Sequence, residues 1–136
     1  MYEDYRAMIY AMSDNPNPQD IIVSKLLPFP NKSKIIKAIE YDNPQVRNFA
    51  VGATTKHFRD VKGYREYRQI IQCFAIFKEI QSKWNYVNDP KNREYIATAS
   101  ESLQHFAGDC DDHSILMAAS IRAIGGTPRL IHTKAH

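Results

Sequence analysis

The run Gly108-Asp109-Cys110-Asp111-Asp112-His113-Ser114 is where residue types and order in this 136-residue chain point to chemistry. It sets one cysteine at the mouth of an apolar segment. Ile115, Leu116, Met117, Ala118, Ala119, Ile121, Ala123 and Ile124 follow, and only Ser120 and Arg122 are polar in its body. A helix that is apolar all round is a core element, so a thiol in its first turn stands where core meets solvent. Free backbone N–H groups and the positive end of the helix dipole favour the thiolate, which is the nucleophilic form. Asp109, Asp111 and Asp112 act in the opposite direction, and the sequence leaves the sign of the net shift open. Asp109 is suited to cap the helix, and Gly125-Gly126 with Pro128 stops it. The plain alternative for a free cysteine is a small core residue. Cys73, beside Phe74 in an amphipathic stretch, fits that description.

A thiol nucleophile needs a base or an imidazolium partner. The histidines are His57, His105, His113, His132 and His136. His113 shares the predicted helix with Cys110, and its side chain leans toward the preceding turn. Residues three apart on one helix, however, rarely orient for proton transfer. His132 and His136 come after the helix and share parity on an extended strand, so both can face its mouth. The same atoms offer a rival site, because Cys110-x2-His113 with His132-x3-His136 has the look of zinc spacing. The start of a helix aims such a pair poorly at one tetrahedral centre, so no metal and no cofactor are expected. The aspartates suit a hard cation in type, but consecutive helical positions point in different directions.

The elements that must hold these groups can be read from periodicity and breakers. Tyr2, Tyr5, Ile9 and Met12 predict a short helix over residues 2–12, and Ser13–Pro18 a loop. The apolar run from Ile21 to Leu27 is ambiguous in type. Ile35, Ile36 and Ile39 suggest a further short helix. Asn43-Pro44 pairs a cap with proline at the first helical position and opens a helix carrying Val46, Phe49, Ala50 and Ala53, which ends near Phe58. The longest helix is expected over Tyr64–Trp84, with Tyr67, Ile70, Ile71, Phe74, Phe77 and Ile80 as its buried stripe. Trp84 and Tyr86 read as anchors at the end of that helix, before the break at Asn88-Asp89-Pro90. Thr98 with Glu101 has capping-box spacing and leads a helix through Leu103 and Phe106. Leu130–Thr133 is the best strand, and a lone strand has nothing to pair with. This predicts an incomplete domain, or a strand that pairs with another chain.

Composition narrows the function classes. A net charge of +3, from 18 basic and 15 acidic residues, does not argue for a nucleic-acid partner. No apolar run reaches membrane-spanning length, and Met1–Arg6 is not a signal peptide, so no membrane partner and a cytoplasmic location are expected. Two cysteines do not make a disulfide framework.

In order along the chain, Asn43-Pro44-Gln45-Val46-Arg47, Trp84-x-Tyr86-x-x-Asp89-Pro90, Gly108-Asp109-Cys110-Asp111-Asp112-His113 and Arg122-Ala123-Ile124-Gly125-Gly126-Thr127-Pro128-Arg129 resemble the transglutaminase-like superfamily. The likeness is greatest to its bacterial and phage branch, and it covers residues 43–136, with 1–42 as an N-terminal helical extension. It implies an α+β, papain-like fold, here mostly helical, with the nucleophile helix and the first strand of an incomplete antiparallel sheet. It also implies thioester-forming acyl transfer or hydrolysis on amide or peptide bonds. Cys110 matches the nucleophile and His136 the histidine, with His132 as fallback and Asp109, Asp111 and Trp84 as supporting candidates. The orienting aspartate has no match before the chain ends, so these residues alone are expected to be inactive. The implied partner is a peptide or protein with an amide side chain or backbone, with self-association through the incomplete sheet edge. The competing readings are a non-catalytic interaction or structural module, phage- or assembly-associated, and a small zinc-stabilised domain.

Overall fold

The computed structural model describes Pro28, residues 30–90 and residues 95–132. The expected helix over 2–12, the run 21–27 and His136 lie outside the described residues. The chain divides into two units. Of the smaller, Pro28, Pro30 and residues 130–132 are described, and His132 Nδ1 donates to the Pro28 carbonyl at 3.0 Å.

The larger unit, Asn31–Arg129, is mostly helical: α1 (Lys32–Ala38), α2 (Pro44–Lys56), α3 (Arg68–Lys83), β1 (Asn85–Tyr86), α4 (Ala99–His105), β2 (Ala107–Gly108) and α5 (Cys110–Ala123). The starts of α2 and α4 follow from local chemistry. Asn43 accepts from the Gln45 N–H at 2.8 Å with Pro44 just inside the helix. Thr98 accepts from the Glu101 N–H at 3.2 Å, and the Glu101 carboxylate accepts from the Thr98 N–H at 3.1 Å. Glu40 reaches across to take the Ser100 N–H at 3.1 Å, tying the turn before α2 to the first turn of α4.

Helix α5 lies against α2, α3 and α4. Its Ile115, Leu116, Ala118 and Ala119 meet Val46, Ala50 and Ala53 of α2 and Ala75, Ile76 and Ile80 of α3 in one core. The alanines on all three helices let backbones approach closely. Ser120 is fully buried, and its hydroxyl donates to the Leu116 carbonyl at 2.8 Å, so its burial leaves no orphan.

Helix α3 departs from its expected span and face. It begins at Arg68, after a run of turns, and it ends at Lys83. Ala75, Ile76, Glu79 and Ile80 are its buried residues, while Tyr67, Ile70, Phe74 and Phe77 are 42–58% exposed. Two stripes of helical period run along this segment. The one with small side chains faces α2 and α5, because only it permits close packing. Periodicity cannot choose between two stripes that both satisfy it. The strand expected from Leu130 is not formed over the described residues 130–132. Among the described residues the sheet is the parallel pair of β1 with β2, with Asn85 opposite Ala107 and Tyr86 opposite Gly108, and the mostly helical chain with this short sheet agrees with the expected α+β class.

Glu79 explains how a charge enters the α3 core face. Its carboxylate takes His57 at the end of α2, Lys83 one turn on at 3.1 Å and Lys56 at 3.3 Å. Burial pushes its pKa up, but the hydrogen bonds from His57, Lys83 and Lys56 outweigh that and hold it at about 2. Removing the charge leaves His57 without its partner, so Glu79→Gln is expected to cost about 2 kcal/mol at pH 7 in urea unfolding. A depressed carboxyl stabilises the fold only when ionised. The difference between wild type and variant is therefore complete above pH 4.5 and closes as pH falls toward 2.

Candidate functional site

The junction between β2 and α5 sets the position of Cys110, and a buried carboxylate holds that junction. Asp112, the third residue of α5, is 3% exposed. One oxygen accepts the Ala97 N–H at 2.9 Å and the other the Asp109 N–H at 3.2 Å. A side chain of α5 thus stitches together the segment before α4, the residue before the helix and the helix itself. Glycine is required at 108 because a Cβ there would meet the Asp112 carboxylate and stand 2.8 Å from its Cβ. β2 is held on the other side by β1, whose Asn85 N–H donates to the Phe106 carbonyl at 2.8 Å and Val87 N–H to the Gly108 carbonyl at 2.9 Å. Phe106 adopts a left-handed conformation, φ 46°, and its ring packs against Phe49 at 5.8 Å, with the Lys83 ammonium 5.3 Å from the ring centre.

Cys110 is the first residue of α5 and is half-buried. Its thiol donates weakly to the Asp111 carboxylate at 3.7 Å. Burial pushes its pKa up, followed by the charges of Asp111 and Asp109 and the bond to Asp111, while its own backbone N–H pulls the other way. The opposition seen in the sequence is therefore settled in favour of the protonated thiol. Cys73 is also pushed up, by burial alone.

The other candidates separate. Asp109 caps α5, as expected, and its Oδ1 is buried with no hydrogen-bond partner among the described residues. Asp111 faces the thiol, whereas Asp112 faces inward, as successive helical positions must. His113 does not serve Cys110. Its Nε2 donates to the Gln81 amide oxygen at 3.1 Å, and its ring meets Trp84 edge-on at 5.1 Å and Phe77 at 6.0 Å. Burial lowers its pKa, which favours the neutral ring. Trp84 accordingly stands against His113, with its indole N–H buried and without a partner among the described residues. His132 belongs to the smaller unit.

Two features went unread in the sequence. Carboxylate oxygens of Asp89, Asp109 and Asp112 converge within 4.8 Å of one another. Burial, then the Asp109 charge, pushes Asp112 up to about 6 against its two backbone hydrogen bonds. Asp89 carried a signal only in the Asn-Asp-Pro breaker and the Trp84-x-Tyr86-x-x-Asp89-Pro90 motif, not as one of a group of carboxylates. The second is Tyr86, which was expected as an anchor but is 61% exposed. It lies opposite Gly108 in the sheet, and its phenol is pushed up by desolvation and then by the charges of Cys110, Asp109, Asp111 and Asp89. A cavity of about 710 Å³ opens on the Asp112 side, lined by Asp89, Tyr95, Glu101, Ser102, Gly108 and Asp112 among others.

The site is therefore a half-buried thiol in the first turn of α5, with the carboxylates of Asp109 and Asp111 beside it. The family model of the transglutaminase-like superfamily matches residues 59–136, which include α3, both strands, α4 and α5. No curated protein and no solved structure matches the sequence.

Two outcomes follow from this geometry. Gly108→Ala should cost about 2 kcal/mol, because the added Cβ displaces the Asp112 carboxylate from two N–H donors. Equilibrium unfolding measures it. Asp111→Asn removes the charge nearest the thiol while keeping an acceptor oxygen. The pH midpoint of Cys110 alkylation by iodoacetamide, held up in the wild type, should therefore fall and the rate at pH 7.5 should rise.

Proposed function

This chain belongs to the transglutaminase-like superfamily, and on that premise we propose that it carries a cysteine acyl-transfer site acting on amide or peptide bonds. The observation that carries the reading is the placement of Cys110. It is the first residue of the central helix, half-exposed, and fixed by the buried Asp112 beneath Gly108. In this reading His136 removes the thiol proton, with His132 as fallback. The sulfur attacks the amide carbonyl carbon, and the C–N bond breaks. The amine leaves with the proton returned by the imidazolium, giving a thioester on Cys110. Water or a second amine then takes the acyl group and frees the thiol. Backbone N–H groups at the start of α5, that of Cys110 among them, are available for the oxyanion. The substrate is a peptide or protein amide. Residues 43–136 are assigned to the acyl-transfer domain and 1–42 to an extension.

The raised thiol pKa is consistent with this scheme, since the base has work to do only on a protonated thiol. A second reading, a non-catalytic interaction module, has one observation in its favour: the exposed stripe of Tyr67, Ile70, Phe74 and Phe77.

The test is acyl-enzyme formation and turnover. With p-nitrophenyl acetate, the intact mass should rise by one acetyl group that neutral hydroxylamine removes. Cys110→Ser should abolish that adduct and Cys73→Ser should keep it. In a protein that also supplies the orienting carboxylate, His136→Ala should lower turnover of a glutamine-containing peptide by about 10²–10⁴-fold, the usual contribution of a general base. Absence of any adduct on Cys110 would transfer the assignment to the interaction module.

A further inference from the structure

We propose that Tyr86 is the substrate-binding aromatic of the Cys110 site, a platform on which a flat group next to the reacting carbonyl of the acyl donor stacks. The inference rests on the acyl-transfer reading above and names the class of donor that the site prefers.

Position is the first argument. β1 contains only Asn85 and Tyr86, and it is pinned to β2 by hydrogen bonds on both sides of Tyr86, at 2.8 and 2.9 Å. The register puts Tyr86 opposite Gly108, two residues before Cys110. The same β2–α5 junction that fixes the thiol therefore fixes the Tyr86 backbone. A group on this strand cannot drift relative to the nucleophile without breaking the pairing.

Exposure is the second. Tyr86 is 61% exposed, more than any other large hydrophobic residue among those described. Trp84, two positions earlier, spends its ring on His113. A tyrosine that anchors a fold buries its ring, as Tyr and Trp do when they act as core groups. Tyr86 contributes its backbone to the sheet and leaves its ring free of any aromatic or cation partner among the described residues.

The electrostatic setting is the third. Desolvation first, and then the charges of Cys110, Asp109, Asp111 and Asp89, push the Tyr86 phenol up. They act to keep it protonated, so the face offered to substrate stays uncharged throughout the pH range in which the thiol is activated. A neutral ring suits an aromatic side chain or the plane of an amide, and aromatic pairs add about 0.5–1.5 kcal/mol beyond the area they bury.

The experiment uses the 136-residue chain and two electrophiles of equal chemistry, iodoacetamide and 2-iodo-N-phenylacetamide. Labelling rates at Cys110 and Cys73 are followed by peptide mass spectrometry, and Cys73 corrects for the intrinsic reactivity of each probe. In the wild type, the phenyl-to-plain rate ratio at Cys110 should exceed that at Cys73 by about fivefold. Tyr86→Phe and Tyr86→Trp should keep the excess, and Tyr86→Leu should remove it. A Cys110 that reacts with both probes but shows no excess in the wild type, or keeps it in Tyr86→Leu, overturns this inference and leaves the acyl-transfer reading standing. A Cys110 inert to both probes overturns both. Loss of the excess in Tyr86→Phe and Tyr86→Trp as well would show that the hydroxyl, not the ring face, carries the effect, and would also overturn the proposal.

Discussion

The buried carboxylate of Asp112 is the interaction on which the site depends. Its two oxygens take the N–H groups of Ala97 and Asp109, which leaves the chain no freedom at the point where β2 gives way to α5. A carboxylate accepting backbone N–H bonds is a strong, directional clamp. It is also an expensive one to bury, and burial pushes Asp112 up to about 6. The clamp works only where a glycine precedes it, because any side chain at 108 would occupy the space the carboxylate needs. Gly108, Asp109 and Asp112 are thus one mechanical unit, and Cys110 rides on it.

That unit has an electrostatic consequence. A helix start ordinarily lowers a thiol pKa, yet here the thiol is raised by burial, Asp111 and Asp109. Burial first, and then the charges of Asp111 and Asp109, favours the protonated thiol, the form less prone to oxidation. Asp89 and Tyr86 belong to the same neighbourhood, brought there by β1. His113, the histidine closest in sequence to the cysteine, is withdrawn into the contact with Trp84, Phe77 and Gln81.

A second buried charge, Glu79, governs the opposite side of the core. Enclosed by His57, Lys56 and Lys83, it lets α3 present Ala75, Ile76 and Ile80 inward and leaves Ile70, Phe74 and Phe77 outward. The result is an exposed apolar stripe along α3. Its existence follows from a choice between two faces of one helix, made by the closeness of α2 and α5 and by the ion pairs that make the Glu79 face tolerable.

Local chemistry was legible from the residues alone. Asn43-Pro44, Thr98 with Glu101, and Gly125-Gly126 placed the ends of α2, α4 and α5, because caps and breakers act within a few residues. The all-round apolar character of Ile115–Ile124 marked α5 as central, and the block around Cys110 marked the site and its family. Long-range geometry was not legible. The pairing of Asn85-Tyr86 with Ala107-Gly108 joins segments too short to show a period. Which stripe of α3 turns inward depends on neighbours that periodicity cannot see. The inward turn of Asp112, the convergence of Asp89 and the commitment of His113 to Trp84 each join residues far apart in the chain. The sequence by itself determined the capped and broken helix ends and the place of Cys110 at the start of α5, since those are decided by adjacent residues. Only the tertiary structure decided which faces are buried, which charges meet and which way the thiol's pKa moves, since each is a balance between groups that only folding brings together.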